Sequence, residues 1–205
     1  MSDKYRNFKA LQAEQREGRD FRVQVNFRKE SKIAIVAPHG GAIEPGTSEL
    51  AIDIAGKELN FAVFEGIKSK QNRDLHITST NFDEPRCVYI VEKTPTTLTV
   101  HGESSSGEVV YIGGLNQSVI THISLSLEQS GFTVKKNQNP DLQGISSDNI
   151  CNRGIEQMGI QLELSRGLRE KFFSSLSNDG RKITTCEFKK FVDAIRQGLK
   201  QACLL

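Results

Sequence analysis

Three side chains in this sequence of 205 residues could together hold a metal ion. His39 and Glu44 lie within one six-residue segment, separated in part by two glycines that allow backbone angles a branched residue could not take. His101 stands at the end of a separate apolar run. A catalytic zinc ion commonly takes two histidines and one carboxylate and keeps a position open for water. His39, Glu44 and His101 supply this set, so the residue types predict one zinc ion per chain.

Each of these residues also has a purely structural interpretation. A glycine-rich turn could hold a hydrogen-bonded His39 and a Glu44 that faces a helix, and a lone histidine at a strand end is often just a satisfied polar residue. Glu163, in the apolar run GIQLEL, is costly to bury without a partner. We therefore expect Glu163 either to be functional or to pair with an arginine such as Arg153.

The stretch from residue 33 to residue 55 must position His39 and Glu44. Its first five residues, IAIVA, are continuously apolar, which is typical of a strand buried on both faces. We expect this strand to stop at Pro38 and a helix to begin at Thr47, whose hydroxyl can cap it. The predicted order is strand, site loop, helix.

The rest of the chain alternates between strand and helix patterns. Further strands are predicted at residues 22–27, 60–65, 87–92, 98–101, 109–112, 132–135 and 159–164, and further helices at 4–17, 116–131, 166–176 and 186–202. The last helix has a capping box formed by Thr184 and Glu187. This pattern predicts an α/β fold with a mixed, mostly parallel central sheet flanked by helices. Loops that leave the same edge of such a sheet share a crevice, which would bring His39 and His101 together.

Composition limits the function classes. The length favours a single domain over residues 1–205, with residues 1–20 as a helical N-terminal arm. The net charge of +2 does not indicate nucleic acid binding but is compatible with an anionic substrate. No apolar segment is long enough to span a membrane and no secretion signal is recognisable, so we expect a soluble, cytoplasmic product. The four cysteines are scattered, which predicts reduced, mostly buried thiols.

Two histidines remain outside the predicted ligand set. His76 lies in a long polar segment from residue 68 to residue 86, and loops of this length are often functional. It could line a substrate groove, substitute as a metal ligand, or simply help to order the loop. His122 lies off the apolar stripe of its predicted helix and is interpreted as a surface residue.

Three separated motifs carry a resemblance to a known family. The segments HGGAIEPGTSELA, TVHGE and ICNRGIEQMGIQLELSRGLR resemble, in this order, the phage-associated poly-γ-glutamate hydrolase family. The resemblance implies a small zinc enzyme with a carboxypeptidase-like α/β core that cleaves the γ-linked glutamate polymer of Bacillus capsules. Four residues separate His39 from Glu44, rather than two as in pancreatic-type carboxypeptidases, so the loop geometry of that wider group does not transfer directly.

The resemblance also implies roles for individual residues. His39, Glu44 and His101 match the family's zinc ligands, and Glu163 matches the general base. Arg153 after Asn152 is similar to an Asn-Arg pair that binds a carboxylate, and Arg153 could alternatively stabilise an oxyanion. Further candidates for contacts with a polyanionic substrate are Arg166, Arg169 and His76. A monomer that is released by host lysis is the corresponding expectation for the whole protein.

Two other function classes fit the same residues. One is a zinc carboxypeptidase or deacylase that acts on a small acyl amino acid or a peptidoglycan fragment. The other is a non-catalytic, polyanion-binding virion module in which the metal is structural.

Overall fold

A seven-stranded sheet forms the centre of the protein, seen in a computed structural model that describes residues 3–205. Its strand order is β1-β3-β2-β4-β7-β5-β6. The strands are β1 (Phe21–Asn26), β2 (Ile33–Gly41), β3 (Asn60–Gly66), β4 (Thr96–Gly102), β5 (Val109–Gly114), β6 (Thr133–Lys135) and β7 (Ile160–Leu164). The pairs β1–β3 and β5–β7 are antiparallel and the other neighbouring pairs are parallel. The prediction of a mixed, mostly parallel sheet is confirmed.

Helices cover both faces of this sheet. They are α1 (Phe8–Glu14), α2 (Thr47–Ala55), α3 (Pro85–Glu92), α4 (Gln117–Gln129), α5 (Arg166–Phe172) and α6 (Cys186–Gln201). One apolar layer contains residues of α2, α4, α5 and α6, and the layer on the opposite face contains residues of α1 and α3. The predicted α/β fold with helices flanking the sheet is therefore confirmed.

Strand β2 contributes to both layers, as its sequence predicts. Ile33, Ile35 and Ala37 lie in one apolar cluster, whereas Ala34 and Val36 lie in the other. Full burial of each large aliphatic side chain contributes about 1.5–3 kcal/mol. This burial anchors the strand that ends in the candidate site.

The prediction that strand β2 stops at Pro38 is wrong. Pairing of β2 with β3 continues past Pro38 to Gly41, with a register shift between Ala37 and Gly40. A bulge of this kind accommodates proline, which has no N–H to donate to the ladder. His39 consequently lies on the strand itself, and only Glu44 lies in the turn that follows.

The predicted strand at residues 87–92 is also wrong, because this segment forms α3. The Glu84 side chain caps the helix by accepting a hydrogen bond from the Cys87 N–H at 2.8 Å, and Pro85 occupies the first turn. Cys87, Ile90 and Val91 are the buried residues of this helix. Their spacing of three and four residues is helical, although Val and Ile favour strands locally.

Several helix ends differ from the sequence prediction. Helix α2 is capped by Gly46, and Thr47 is its first residue. Helix α6 is capped by Thr185 rather than Thr184, with the Thr185 hydroxyl accepting from the Phe188 N–H. Helix α5 ends at Phe172, and the helix of the N-terminal arm spans only Phe8–Glu14. Residues 1 and 2 of that arm lie outside the described part of the chain.

Two further expectations concern membrane-spanning segments and the cysteines. Within residues 3–205, none of the helices has the length and apolarity needed to cross a bilayer. Cys87 and Cys151 are buried, but Cys186 and Cys203 are exposed, so only half of the cysteines follow the expectation of buried thiols.

Replacing Gly41 with alanine tests the backbone of the site strand. Gly41 has a φ of +65°, and a Cβ there would meet the Gly66 carbonyl oxygen at 2.5 Å. We expect Gly41→Ala to lower the free energy of unfolding by about 1–3 kcal/mol in chemical denaturation. Gly107→Ala is the control, because the nearest atom to its Cβ would be 3.7 Å away. Equal stability of the two variants would contradict this assignment.

Candidate functional site

The three predicted metal ligands come together at one edge of the sheet. His39 lies on β2, His101 lies on the neighbouring parallel strand β4, and Glu44 lies in the turn before α2. Their ligand atoms are all within 4.8 Å of one another, and all three residues are buried. His39 Nδ1 is 3.2 Å from Glu44 Oε1 and 3.2 Å from His101 Nδ1. Parallel strands that end at the same edge thus bring together residues 62 positions apart.

The orientation of His39 is set by its other ring nitrogen. Nε2 lies 2.7 Å from the Ile77 carbonyl oxygen, which can only accept, so Nε2 carries the proton. Nδ1 is therefore the nitrogen that faces Glu44 and His101, and its lone pair would be available to a bound cation. A second hydrogen bond of this kind typically orients a histidine that binds a metal. Two imidazole nitrogens and one carboxylate within this distance fit a divalent cation.

Glu44 is held in its charged form. Burial opposes its ionisation, but His39 and His101 outweigh this cost and hold the pKa of Glu44 well below its usual range. Glu44 Oε2 also accepts a hydrogen bond of 2.9 Å from the Gly102 N–H. The cluster therefore contains a fixed negative charge that a cation would neutralise.

Glu163 lies directly beside the cluster but is not part of it. It is the register partner of His101 in the β4–β7 pair, so both side chains leave the sheet on the same side. Gln161 Nε2 donates a hydrogen bond of 3.0 Å to Glu163 Oε1. Burial, followed by the charge of Glu44, raises the pKa of Glu163 well above its usual range. The pKa values of Glu44 and Glu163 are thus shifted in opposite directions within one site.

A large cleft opens over these residues, with a volume of about 1480 Å³. Its floor includes His39, Glu44, His101 and Glu163. Its walls come from residues 73–80, residues 140–149, residues 174–177 and helix α5. The long polar segment 68–86 is therefore ordered and contributes to the cleft.

The structure does not bring Arg153 and Asn152 into this cleft. Arg153 Nη1 donates to the Phe82 carbonyl at 2.8 Å, and Nη2 is 3.6 Å from Glu92. The Asn152 amide donates to the carbonyls of Gly144 and Ser146, and its oxygen accepts from the Gly159 N–H. The sequence expectation that this pair binds a carboxylate is thus not supported by its geometry. Both side chains are occupied in holding neighbouring loops, which no sequence pattern reveals.

Arg169 does line the cleft, and its guanidinium is buried. Nη1 donates to the Pro45 carbonyl and Nη2 to the Glu103 carbonyl, each at 2.7 Å. Gly102 makes room for it, since a Cβ at that position would lie 2.6 Å from Arg169 Cζ. Because the partners are main-chain carbonyls, the charge of Arg169 is oriented but not neutralised by direct contact. Arg166 also lines the cleft, but it is exposed and paired with Glu170 at 2.8 Å.

His76 and Arg73 approach Glu44 from the 73–80 wall. The His76 ring stacks on that of His39, with centroids 3.9 Å apart, and Nε2 is 3.8 Å from Glu44 Oε1. Burial, then the charge of His39, lowers the pKa of His76 to about 4, so it is neutral at pH 7. Arg73 Nη1 is 3.7 Å from the same glutamate oxygen, although its side chain is 68% exposed.

Sequence reasoning missed Arg73. It stands in a charged, polar run where a single arginine carries no distinguishing pattern. Its position three residues before His76, inside a long segment already suspected of function, was the only available signal. His122 lies on α4 and is not among the residues that line the cleft.

Comparisons with known proteins give a consistent result. The family described as poly-gamma-glutamate hydrolase matches residues 5–194. UPF0714 protein YmaC of Bacillus subtilis is 37% identical over 201 residues, which is 97% of this chain and 85% of that protein. The structure of a bacteriophage poly-gamma-glutamate hydrolase superposes with a TM-score of 0.94 at 29% identity, covering 98% of this chain and 99% of that one. A zinc-free structure of YNDL gives a TM-score of 0.91 at 31% identity, with the same coverage.

The match extends over nearly the whole chain, from the N-terminal arm into α6. It therefore includes the strands that carry His39, His101 and Glu163 and the turn that carries Glu44. The chain belongs to the poly-gamma-glutamate hydrolase family.

Proposed function

We propose that this protein is a zinc-dependent hydrolase that cleaves γ-glutamyl amide bonds of the capsule polymer poly-γ-glutamate. The observation that carries this proposal is the convergence of His39, Glu44 and His101 beside Glu163 on the floor of a wide cleft. Family membership supplies the substrate class.

His39, Glu44 and His101 would hold the zinc ion. A zinc ion bound by such a set lowers the pKa of a water molecule to about 7 and polarises a carbonyl oxygen. Two of the three donors are kept in place by the Ile77 carbonyl behind His39 and the Gly102 N–H behind Glu44. These contacts restrict His39 and Glu44 to one orientation before any ion binds.

Glu163 would act as the general base. It removes a proton from the attacking water, whose oxygen forms a bond to the amide carbon, and it then delivers this proton to the leaving amine as the carbon–nitrogen bond breaks. The hydrogen bond from Gln161 fixes the Glu163 carboxylate during this transfer.

Arg169 and Arg73 would bind carboxylates of the substrate, and Arg166 and His76 line the same cleft. A γ-linked chain carries one free carboxylate per unit, so cations at more than one place favour a polymer. Arg169 faces the cleft with no carboxylate in its hydrogen bonds. Arg73 borders Glu44, whose charge is neutralised once a cation is bound. The two guanidinium groups approach the cluster from different walls of the cleft.

The dimensions of the cleft favour a polymer over a small acyl amino acid. Pockets for small molecules measure roughly 300–1,000 Å³, and this cleft measures about 1480 Å³. A structural metal in a binding module would not need Glu163, a buried carboxylate beside the cluster that has no salt bridge within residues 3–205 and accepts from the neutral Gln161 side chain. These two observations favour the polymer hydrolase over the small-substrate and non-catalytic alternatives.

The proposal is tested by assaying the zinc-loaded protein on γ-linked and α-linked polyglutamate, with and without a chelator. We expect cleavage of the γ-linked polymer alone, lost with the chelator and restored by zinc. Glu163→Gln should lower kcat by about 10²–10⁴-fold because the general base is absent, while zinc content stays at one ion per chain. His101→Ala should lose the zinc.

Glu128→Gln is the matched control, because Glu128 is exposed on α4. Full activity of Glu163→Gln, or cleavage that persists in zinc-free protein, would contradict the proposed mechanism.

The contribution of Arg73 is measured through KM. Arg73→Gln should raise KM for the γ-linked polymer about 2- to 5-fold, as expected for an exposed ion pair of about 0.2–1 kcal/mol. The difference should shrink at high salt, where exposed charges are screened. Lys70→Gln removes an exposed positive charge from the same segment outside the cleft. Identical KM values for the two variants would rule out a substrate contact by Arg73.

The raised pKa of Glu163 predicts a pH-dependent stability in zinc-free protein. The folded state holds the Glu163 proton more tightly than the unfolded state, so this contribution is complete below the unfolded pKa of about 4.3 and is lost as the pH rises through the folded pKa. Glutamine carries no charge at any pH. Glu163→Gln should therefore become progressively more stable than the wild type across this window, by at most about 1.4 kcal/mol per pH unit.

Urea denaturation at a series of pH values measures this difference, with Glu128→Gln as the surface control. A difference between wild type and Glu163→Gln that does not change with pH would show that Glu163 has an ordinary proton affinity.

A further inference from the structure

Asp3, near the start of the chain, lies at the wall of the cleft that contains His76. Its carboxylate accepts hydrogen bonds from His76 Nδ1 at 2.6 Å, the Thr78 N–H at 2.5 Å and the Thr78 hydroxyl at 2.7 Å. These bonds connect residues 73 to 75 positions apart. The side chains of Asp3 and His76 are each only 16% exposed. The N-terminal arm is thus fastened to the segment that lies over the candidate metal ligands.

The hydrogen bond to Asp3 determines where the His76 proton resides. An ionised carboxylate can only accept, so Nδ1 must be the donor. Burial opposes the charge of Asp3, but hydrogen bonds from Thr78 and His76 outweigh it and keep the pKa of Asp3 below its usual value. A neutral imidazole with its proton on Nδ1 has a free lone pair on Nε2.

Within residues 3–205, this Nε2 lone pair has no hydrogen-bond donor. Glu44 Oε1 lies 3.8 Å from Nε2 and is itself an acceptor. The ring cannot turn away, because it stacks on His39 and is tied to Asp3 on its other side. A ligand that enters the cleft with an N–H group would satisfy this lone pair.

We propose that Asp3 is a positioning residue, which fixes His76 so that its Nε2 accepts a hydrogen bond from an amide N–H of the bound γ-glutamyl chain. The identity of this ligand rests on the proposed function. A γ-linked chain alternates amide groups with free carboxylates, and the 73–80 wall offers a matching pair of groups. Arg73 is a donor for a carboxylate, and His76, three residues later, is an acceptor for an amide.

Nitrogen NMR of the zinc-loaded protein tests the proton position directly. The chain has four histidines, and ¹⁵N-histidine labelling with His76→Gln as the assignment variant identifies the His76 signals. At pH 7 we expect the wild type to carry its proton on Nδ1 and Asp3→Ala to shift it largely to Nε2. Thr78→Val removes only the hydroxyl donor to Asp3 and should leave the His76 signals unchanged.

Kinetics then separate positioning from a general loss of structure. Asp3→Ala and His76→Phe should each raise KM for the γ-linked polymer about 3- to 10-fold, the loss expected for one hydrogen bond. For Asp3→Ala, kcat and zinc affinity should stay within about 2- to 3-fold of the wild type.

Three results would overturn the proposal. They are a wild-type His76 with its proton on Nε2 or on both nitrogens, an unchanged proton position in Asp3→Ala, and a loss of zinc affinity of more than about 10-fold in Asp3→Ala or His76→Phe. The last result would assign His76 and Asp3 to the metal rather than to the substrate. If the wild type fails to cleave any γ-linked polymer, the proposed function fails, whereas the NMR measurement still decides the role of Asp3 in fixing His76.

Discussion

The buried charge of Glu44 is the constraint on which the site depends. A carboxylate removed from water is stable only with nearby positive or hydrogen-bonding groups. The parallel register of β2 and β4 supplies them, because it places His39 and His101 at the same edge and aims the Gly102 N–H at the carboxylate. Glu163 on β7 is the register partner of His101, and burial together with the negative charge of Glu44 raises the pKa of Glu163. One buried anion thus fixes the cation site and separates the proton affinities of the two glutamates.

Residues 76–79 support the same site, and each of these four residues makes a contact there. His76 stacks on His39, the Ile77 carbonyl accepts from His39, Thr78 binds Asp3, and the Ser79 hydroxyl lies 3.5 Å from His101. The segment is fixed in turn by the apolar burial of Ile77 and by the N-terminal arm. Precise ligand geometry therefore comes from two sources: the sheet sets the positions of the ligands, and the segment sets the orientation of their rings.

The sequence predicted most of the sheet and the ligand cluster, because both depend on local patterns. Continuous apolar runs indicate strands buried on both faces, and His39, Glu44 and His101 follow such runs closely. The carboxypeptidase-like character of the core stays a prediction. The geometry does not support the predicted role of Arg153. A motif match gives no information on where a long side chain points, and the Arg153 guanidinium reaches the Phe82 carbonyl. Helix α3 was missed because its β-branched residues favour a strand locally, whereas the Glu84 cap and the spacing of Cys87, Ile90 and Val91 decide for a helix. Arg73 contacts Glu44 and Asp3 contacts His76, and a single sequence cannot show such contacts between distant segments.

The placement of positive charge relative to the cation site argues for a chain-like anionic substrate. Arg169 is held rigidly by main-chain carbonyls, so in the proposed function it would lose little entropy on binding an anion, whereas the exposed Arg73 would have to be ordered by its ligand. Glu44 counteracts both charges only while no cation is bound. Under the proposed function, binding of a divalent cation would change the charge of the cleft floor from negative to positive at the place where a carboxylate-bearing chain would lie. Cation binding and substrate binding would then be coupled electrostatically, even though Arg73 and Arg169 are not among the proposed ligands.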